Sequence, residues 1–560
     1  MTGDRTISII VIGASAAGLR AAARARRRLP DANILVIDQG NFISYAGCGM
    51  PYFVSGDIQS ADMLRRTPYG AIRDADFFRE AKGLDVVTGT KVERIDRDAR
   101  KVHCKSVKTG EGSVYSYDKL VLATGARPIV LPGVPVDNKR ITTFRSLEDA
   151  ISLRKSLETG KIEKAGIVGG GLIGCELAEA FSALWGAKVI IIDAAPNILP
   201  GILDPEMALA VEAYLRSENV EIHTSCPLEN VTGSAEKVTI KTAKESFEVD
   251  CAVIAVGVRP NSELAAGCGL VTGKAGGIVV DDRMATSDPD IFAAGDCVEV
   301  RHLISGKSVN LPLGSLANRQ GRIIGSNLGG GDERFGPVVG SAAVKLFDMN
   351  IAATGLMETA AREAGFDVGC VWGTFTDRAD YYPEAQNIHF KLVFDRQSGR
   401  LLGLQGYGKG EVVKRVDVFS ALLKNEGKLE DLMDMEFAYA PPYAPAVDPL
   451  YVLACIARDA VLEEIQPVDP DSRYDDRVII DLRRPDELKA APLPEKDILR
   501  IPFEELRRKW EEIPKDKPLI CICAKGVRSA ESLRFLREKG FSDMVYLGGG
   551  CLMKPEYSSH

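Results

Sequence analysis

The chain has 560 residues, 45% hydrophobic and 26% charged, which is the balance of soluble globular proteins and leaves room for about three or four domains. A formal net charge of −8 gives no ground for expecting nucleic-acid binding, and no uncharged apolar run reaches the ~20 residues that a membrane helix needs. Twelve cysteines without a C-x-x-C pair exclude a disulfide scaffold, and Cys521 and Cys523 are too close for a zinc site, so reduced thiols and no metal are expected.

The first residues, Met-Thr-Gly-Asp-Arg, run straight into a short apolar strand, unlike a cleavable signal, so the expected location is cytoplasmic. Residues 7–12 are a β-branched run of strand type. They lead into Gly13-Ala14-Ser15-Ala16-Ala17-Gly18 and an Ala/Arg-rich helix, and a second strand at 34–37 ends on Asp38. This is a dinucleotide fingerprint with Ser15 at the middle position. Gly13 permits the tight turn, the helix start receives a pyrophosphate, and Asp38 can accept ribose hydroxyls. Along the helix, Arg20, Arg24, Arg27 and Arg28 put three guanidinium groups on one face, either a solvated surface or a strip for phosphate.

Next comes Ser44-Tyr45-Ala46-Gly47-Cys48-Gly49-Met50-Pro51-Tyr52, with one cysteine between two glycines. Glycines let backbone approach a flat ligand, so Cys48 is a candidate redox thiol facing a flavin; the bland reading is a buried structural cysteine. The strand at 119–122 runs into Ala123-Thr124-Gly125, the crossing out of a flavin domain. A second fingerprint follows: strand 165–168, Gly169-Gly170-Gly171-Leu172-Ile173-Gly174, a helix with Glu176 and Glu179, and strand 189–192 ending on Asp193. Two fingerprints imply two dinucleotides. Asp193, followed by Ala194-Ala195-Pro196 with no arginine for a 2′-phosphate, favours NADH over NADPH. Residues 252–260, including Gly257, read as the return crossing. Gly295-Asp296 closes another strand with an aspartate for the flavin ribitol, and Ala317 and Asn318 lie at a helix start whose amides face the flavin ring.

From about residue 340 the pattern becomes α+β, with strands at 342–347, 389–394 and 401–405 and helices at 413–424 and 429–433. Tyr381 and Tyr439 sit there beside prolines, a setting that is usually structural. A Pro/Asp-rich linker at 463–473 precedes a last small unit. In it, strand 478–483 is followed by Glu487, and strand 519–523 ends at Cys523-Ala524-Lys525-Gly526-Val527-Arg528-Ser529 before a helix. A cysteine at a strand end, a loop of amides and a helix N-terminus make an anion cradle that lowers a thiol's pKa. Cys551 ends the last glycine run.

On these motifs, residues 1 to about 455 resemble the single-cysteine pyridine nucleotide-disulfide oxidoreductases, in the branch of coenzyme A-disulfide reductase and NADH-dependent persulfide or polysulfide reductase. Residues from about 468 resemble a rhodanese sulfurtransferase domain. The resemblance implies an α/β chain with two Rossmann-like domains, for FAD (1–150 with 255–335) and for NADH (151–254). A dimerisation domain (336–455), a linker (456–473) and a rhodanese domain (474–560) would follow. It implies a homodimer, Cys48 as redox cysteine, coenzyme A as substrate or resting mixed disulfide with contacts at Arg20, Arg24, Arg27 and Ser44, and Tyr381 and Tyr439 reaching the partner's active site. It also implies a persulfide on Cys523 within the loop that ends at Arg528. The chain departs from the pattern with Gly47 where the family often has asparagine, and with residues 488–501 in place of a Gly-His-Ile segment.

The expected chemistry is electron flow from NADH through FAD to Cys48, whose thiolate attacks a coenzyme A persulfide, a polysulfide or a disulfide. No histidine base is needed if flavin and helix ends lower the thiol's pKa. The rivals are an NADH oxidase or peroxidase cycling Cys48 through a sulfenic acid, and a redox-sensing sulfur carrier.

Overall fold

The computed structural model describes residues 6–554 apart from 137, 235, 463–464, 473, 475, 491–492 and 494–497. Residues 1–5, the linker ends Glu463 and Arg473, part of the 488–501 segment and the last six residues of the expected rhodanese domain lie outside the described residues. The chain forms two compact units, Met1–Val189 with Leu228–Val338, and Ile190–Pro227 with Val339–His560.

The first unit carries parallel strands β1 (Ser8–Ile12), β2 (Asn33–Ile37), β3 (Asp85–Val87), β4 (Lys119–Leu122), β5 (Lys164–Val168), β6 (Cys251–Ile254) and β7 (Ile291–Ala293). One sheet has the order β7-β4-β1-β2-β3, with β1 central. β6 lies between β5 and the strand Ile141–Thr143. Strands covered on both faces must be apolar, which is why β1 is aliphatic from Ile9 to Ile12, why β5 after Lys164 carries no polar side chain, and why Ile9, Val11 and Ile167 are buried. The helices that matter here are α1 (Ala17–Arg28), α2 (Met50–Ser55), α3 (Leu172–Ser182) and α4 (Gly314–Leu328). The unit also contains two antiparallel meanders, at Thr90–Asp96, Lys101–Ser106, Gly112–Ser116 and at Leu228–Gly233, Val238–Thr242, Ser246–Val249.

The second unit contains an antiparallel sheet of β8 (Ala342–Leu346), β9 (Met349–Gly355), β10 (Val368–Thr376), β11 (Asn387–Asp395) and β12 (Leu401–Gly408), in the order β8-β9-β12-β11-β10. β9 and β10 are not among the strands expected from sequence. Lys391, on β11, is 1% exposed and holds Asp204, Glu206 and Glu358 at 2.8, 2.5 and 2.8 Å. Trp372 Nε1 also donates to Glu206, and Gln405 Nε2 to Asp204, so this buried charge cluster is hydrogen-bonded. A parallel sheet follows, built on β13 (Val478–Asp481), β14 (Leu519–Ile522) and β15 (Met544–Leu547), with β14 in the middle. α5 (Val527–Glu538) leaves the end of β14. Among the described residues no helix is long and apolar enough to cross a membrane, and no group of three His, Cys, Asp or Glu is placed to hold a metal ion.

Candidate active site

The two glycine turns are copies of one geometry. Gly13 has φ +107° and Gly169 has φ +112°, and an added Cβ at either would lie closer than 3.0 Å to a backbone carbonyl, of Ala123 and Ala255 respectively. Gly18 and Gly174 each meet the carbonyl of the first glycine in the same way. These four glycines are thus demanded by the protein's own packing. Gly171 is different: nothing lies within 4 Å of its Cβ position. Ser15 is exposed, and neither α1, which begins after Ala16, nor α3 has a side-chain cap, so no capping side chain takes up the first-turn amides that an anion would use.

Asp38 ends β2 and accepts from Ala14 N at 2.6 Å and Gly40 N at 2.7 Å, while burial pushes its carboxyl up. Thr124 Oγ1 donates to Asn261 O at 2.6 Å and Asn261 Nδ2 donates back to Thr124 O at 2.9 Å, joining the crossing at Ala123-Thr124-Gly125 to the return past Gly257. Gly295 N donates to Gln320 Oε1, and Asp296 beside it is raised by burial. Ala317 is buried in the first turn of α4, and Asn318 bonds back to Gly314 O. Turn, acid, crossing and Gly-Asp corner surround one side of the β1 sheet and fit a flavin dinucleotide. The second turn fits a second dinucleotide. In the other unit, Asp193 accepts from Ala195 N at 2.7 Å at the end of its strand.

Cys48 sits in a single turn of 3₁₀ helix, Gly47–Gly49, and is exposed. Ser44, at φ +52°, donates its amide to Ala14 O and so ties this loop to the first glycine turn. The Cβ position of Gly314 is 3.9 Å from Cys48 Sγ, which places the thiol at the uncapped start of α4. The expected low pKa is not found in the protein's own groups. Burial, then Glu176 and Asp296, push the thiol above its ordinary range, against smaller pulls from its own amide and Arg145. Glu176 itself is pushed up to about 7, by burial and then by Glu179. A cavity of about 10 Å³ between α2 and α3 is lined by Tyr52, Asp57, Glu176 and Glu179.

Sequence reasoning missed Arg145. Its Nε donates to Ala126 O, and its charge favours the ionised forms of Asp38, Tyr45, Cys48 and Asp296. Only the fold gathers these groups around one guanidinium. Of the arginine strip, Arg20 and Arg27 are exposed, whereas Arg24 is held by Ser326 Oγ at 2.8 Å and Glu333 at 3.5 Å.

In the second unit Tyr381 and Tyr439 hydrogen-bond to each other and are 73% and 51% exposed, with Tyr443 and Val447 exposed nearby in sequence. Cys523 is buried at the end of β14, and Gly526 N donates to its Sγ at 3.1 Å. Arg528 makes two bonds to Glu487, at 2.8 and 2.5 Å, which raise the arginine and lower the carboxyl. Ser529, in the first turn of α5, is buried with no hydrogen-bond partner for its hydroxyl among the described residues. Burial lowers Lys525, and the charge of Asp380, next to Tyr381, raises it, so the Cys523 loop and the Tyr381 segment are neighbours.

The pattern of the pyridine nucleotide-disulphide oxidoreductases matches residues 7–321, more than half the chain. The chain belongs to that family. The dimerisation domain of the same family matches residues 341–450 of this oxidoreductase, and a rhodanese-like domain matches 468–552. An NADH oxidase of Methanocaldococcus jannaschii is 36% identical over 80% of this chain and 97% of its own length. A CoA-dependent NAD(P)H sulfur oxidoreductase of Pyrococcus abyssi is 34% identical over 80% and 98%. The solved structure of an NAD-dependent persulfide reductase from A. fulgidus superposes with a TM-score of 0.94 at 39% identity, covering 98% of this chain and all of that one.

Proposed function

We propose that the protein is an NADH-dependent, FAD-containing reductase of sulfane sulfur or disulfides, with coenzyme A persulfide, polysulfide or coenzyme A disulfide as substrate. The observation that carries this is the pairing, in one chain, of a thiol at the start of α4 beside the glycine turn and a second cysteine, Cys523, on an anion cradle. The likeness to the persulfide reductase runs over both. Bound FAD would supply the two-electron link between NADH and sulfur. The Cys48 thiolate attacks the outer sulfur of a persulfide R–S–SH, giving a Cys48 persulfide and releasing R–S⁻. Two electrons and two protons then return Cys48 to the thiol and release H₂S. The Arg145 guanidinium favours the thiolate against Glu176 and Asp296. Tyr381 and Tyr439 donate to the leaving thiolate from the partner of a homodimer, an arrangement supported by their exposure and by the dimerisation-domain match.

In this reading Cys523 carries sulfane sulfur, with the Ser529 hydroxyl and the α5 amides as its anion donors, and tethering keeps that sulfur concentrated near its acceptor. Gly13, Ser15, Ala16, Gly18, Asp38, Ala123–Gly125, Gly257, Asp296, Ala317 and Asn318 serve FAD, and Gly169, Gly171, Gly174 and Asp193 serve NADH. Arg20, Arg27 and Ser44 contact the phosphates of coenzyme A, with Arg24 held as a positioned member of the strip. Anaerobic NADH oxidation with coenzyme A persulfide and with coenzyme A disulfide, with sulfide assayed, is the test. Sulfide formed at a much higher kcat/KM with the persulfide supports persulfide reduction; turnover of neither rejects the proposal. A second reading, NADH oxidase, is favoured by the M. jannaschii relative and requires fast aerobic NADH consumption that forms water and ignores sulfur substrates.

A further inference from the structure

Thr374, His389 and Tyr407 stand directly opposite one another on β10, β11 and β12. All three are buried, and the chemistry above uses none of them. The His389 and Tyr407 rings stack, with centroids 4.7 Å apart and planes at 22°. Thr374 Oγ1 lies 2.6 Å from Gly549 O and 3.0 Å from His389 Nδ1. A hydroxyl has one proton and a carbonyl can only accept, so the Thr374 proton goes to Gly549. Thr374 must then accept from His389, which places the imidazole proton on Nδ1. Burial holds the pKa of His389 down to about 3, with Lys525 adding to the effect, so the ring stays neutral. The result is a directed chain from His389 through Thr374 to Gly549.

Gly549 belongs to the loop that closes on the Cys523 loop. Cys551 N donates to Cys523 O at 2.9 Å, and Leu552 N donates to Ala524 O at 3.1 Å. Gly549 and Gly550 have φ +69° and +72°, and a Cβ on Gly550 would collide with Ala524 O, so the two loops fit in one arrangement. Next to them, Gly548 lies flat on Trp372, where an added Cβ would be 3.1 Å from the ring.

We propose that Thr374, with His389 as its proton donor, is a positioning pair for the Cys523 sulfur site: the antiparallel sheet holds the Gly549–Cys551 loop, and that loop holds the backbone of Cys523. The inference rests on the reading of Cys523 as a sulfur carrier. The sheet that supplies Thr374 also leads, at the end of β10, into the Tyr381 segment. One strand therefore fixes the sulfur-carrying loop and the tyrosine pair in a common frame.

The test uses the full-length, FAD-loaded protein without NADH. Glutathione persulfide is the donor and cyanide the acceptor. Cys523–S⁻ takes the outer sulfur of GS–SH and releases GS⁻; cyanide then removes that sulfur from the persulfide anion as thiocyanate and regenerates Cys523–S⁻. The rate left in Cys523→Ala is subtracted. Thr374→Val keeps the shape and removes the hydroxyl, and is expected to lower kcat about tenfold, because a buried carbonyl and an imidazole N–H each lose their partner. KM for the donor and reduction of coenzyme A disulfide at Cys48 should not change, and Thr374→Ser should restore the rate. ¹⁵N NMR should find the proton on Nδ1 of His389 in the wild type and in Thr374→Ser.

Unchanged transfer in Thr374→Val, a Thr374→Ser variant as slow as a failed site, no thiocyanate that depends on Cys523, or a wild-type His389 protonated on Nε2 would each overturn the proposal. Should Thr374→Val not fold, the serine variant and the wild-type tautomer still decide. The relay to Cys48 is read separately. If Cys523→Ala leaves NADH-dependent sulfane-sulfur turnover untouched while thiocyanate formation still needs Cys523, the relay falls and the positioning pair stands.

Discussion

The glycines of the second fingerprint have different jobs, and alanine substitutions should separate them. At Gly169, φ is +112° and a Cβ would fall closer than 3.0 Å to Ala255 O. Alanine there combines backbone strain of ~1–3 kcal/mol with overpacking of ~1–3 kcal/mol, a total of ~2–6 kcal/mol that this region must absorb. At Gly171 the protein offers no obstacle, and φ is −76°. Alanine at this helix N-cap should cost the folded protein no more than ~1 kcal/mol. In the proposed reading the pyrophosphate occupies the space at Gly171, so filling it should weaken NADH binding tenfold or more, about 1.4 kcal/mol or above, by removing the close backbone approach. Thermal unfolding of the FAD-loaded protein reads the first effect, and stopped-flow reduction against NADH concentration reads the second. Gly267→Ala, whose Cβ also meets nothing within 4 Å and which lies outside both glycine turns, is the control for a harmless glycine. Unchanged NADH affinity in Gly171→Ala, or full stability in Gly169→Ala, would refute this division.

Further outcomes are expected. In FAD-free protein the alkylation rate of Cys48 should rise with pH to a midpoint above the ordinary thiol range, and Glu176→Gln should move that midpoint down by removing a charge that opposes the thiolate. Lys391→Met leaves Asp204 and Glu206 buried without their cation and should cost ~3–5 kcal/mol in denaturant unfolding at neutral pH. The pair Lys391–Glu358 holds the carboxyl down at about 2, so its stabilisation is present above the unfolded carboxyl pKa and is lost as pH falls toward 2; the gap between wild type and Lys391→Met should narrow over that window. Tyr381→Phe and Tyr439→Phe should each slow sulfur reduction, and the double variant should cost less than the sum, since the two phenols share a hydrogen bond. Glu487→Gln turns a paired carboxylate into a neutral amide facing Arg528 and should slow thiocyanate formation from Cys523 several-fold without changing FAD content.

Local rules carried much of this protein. A strand, a glycine turn and a helix occupy adjacent residues, and Gly18 and Gly174 are required by the carbonyls of Gly13 and Gly169 five residues earlier, so the pattern survives as a short motif. The same holds for the cysteine, amide loop and helix around Cys523. The glycine-flanked Cys48 was legible as a candidate thiol, but its pKa direction was not. That direction is set first by burial in the folded protein and then by Glu176 and Asp296, which lie 128 and 248 residues further along the chain.

Sequence by itself determined the order of the modules, the two dinucleotide turns and the two cysteines, because each is written in neighbouring residues whose backbone geometry admits few alternatives. Tertiary structure alone decided which charges surround Cys48, that Arg145 is their common cation, that Arg24 is already held by Glu333, and that Thr374 on an unanticipated strand reaches the Gly549–Cys551 loop, which closes on the Cys523 loop. Those are long-range electrostatic and hydrogen-bond relations, and they come into being only when a sheet brings distant residues to within a few ångströms of one another.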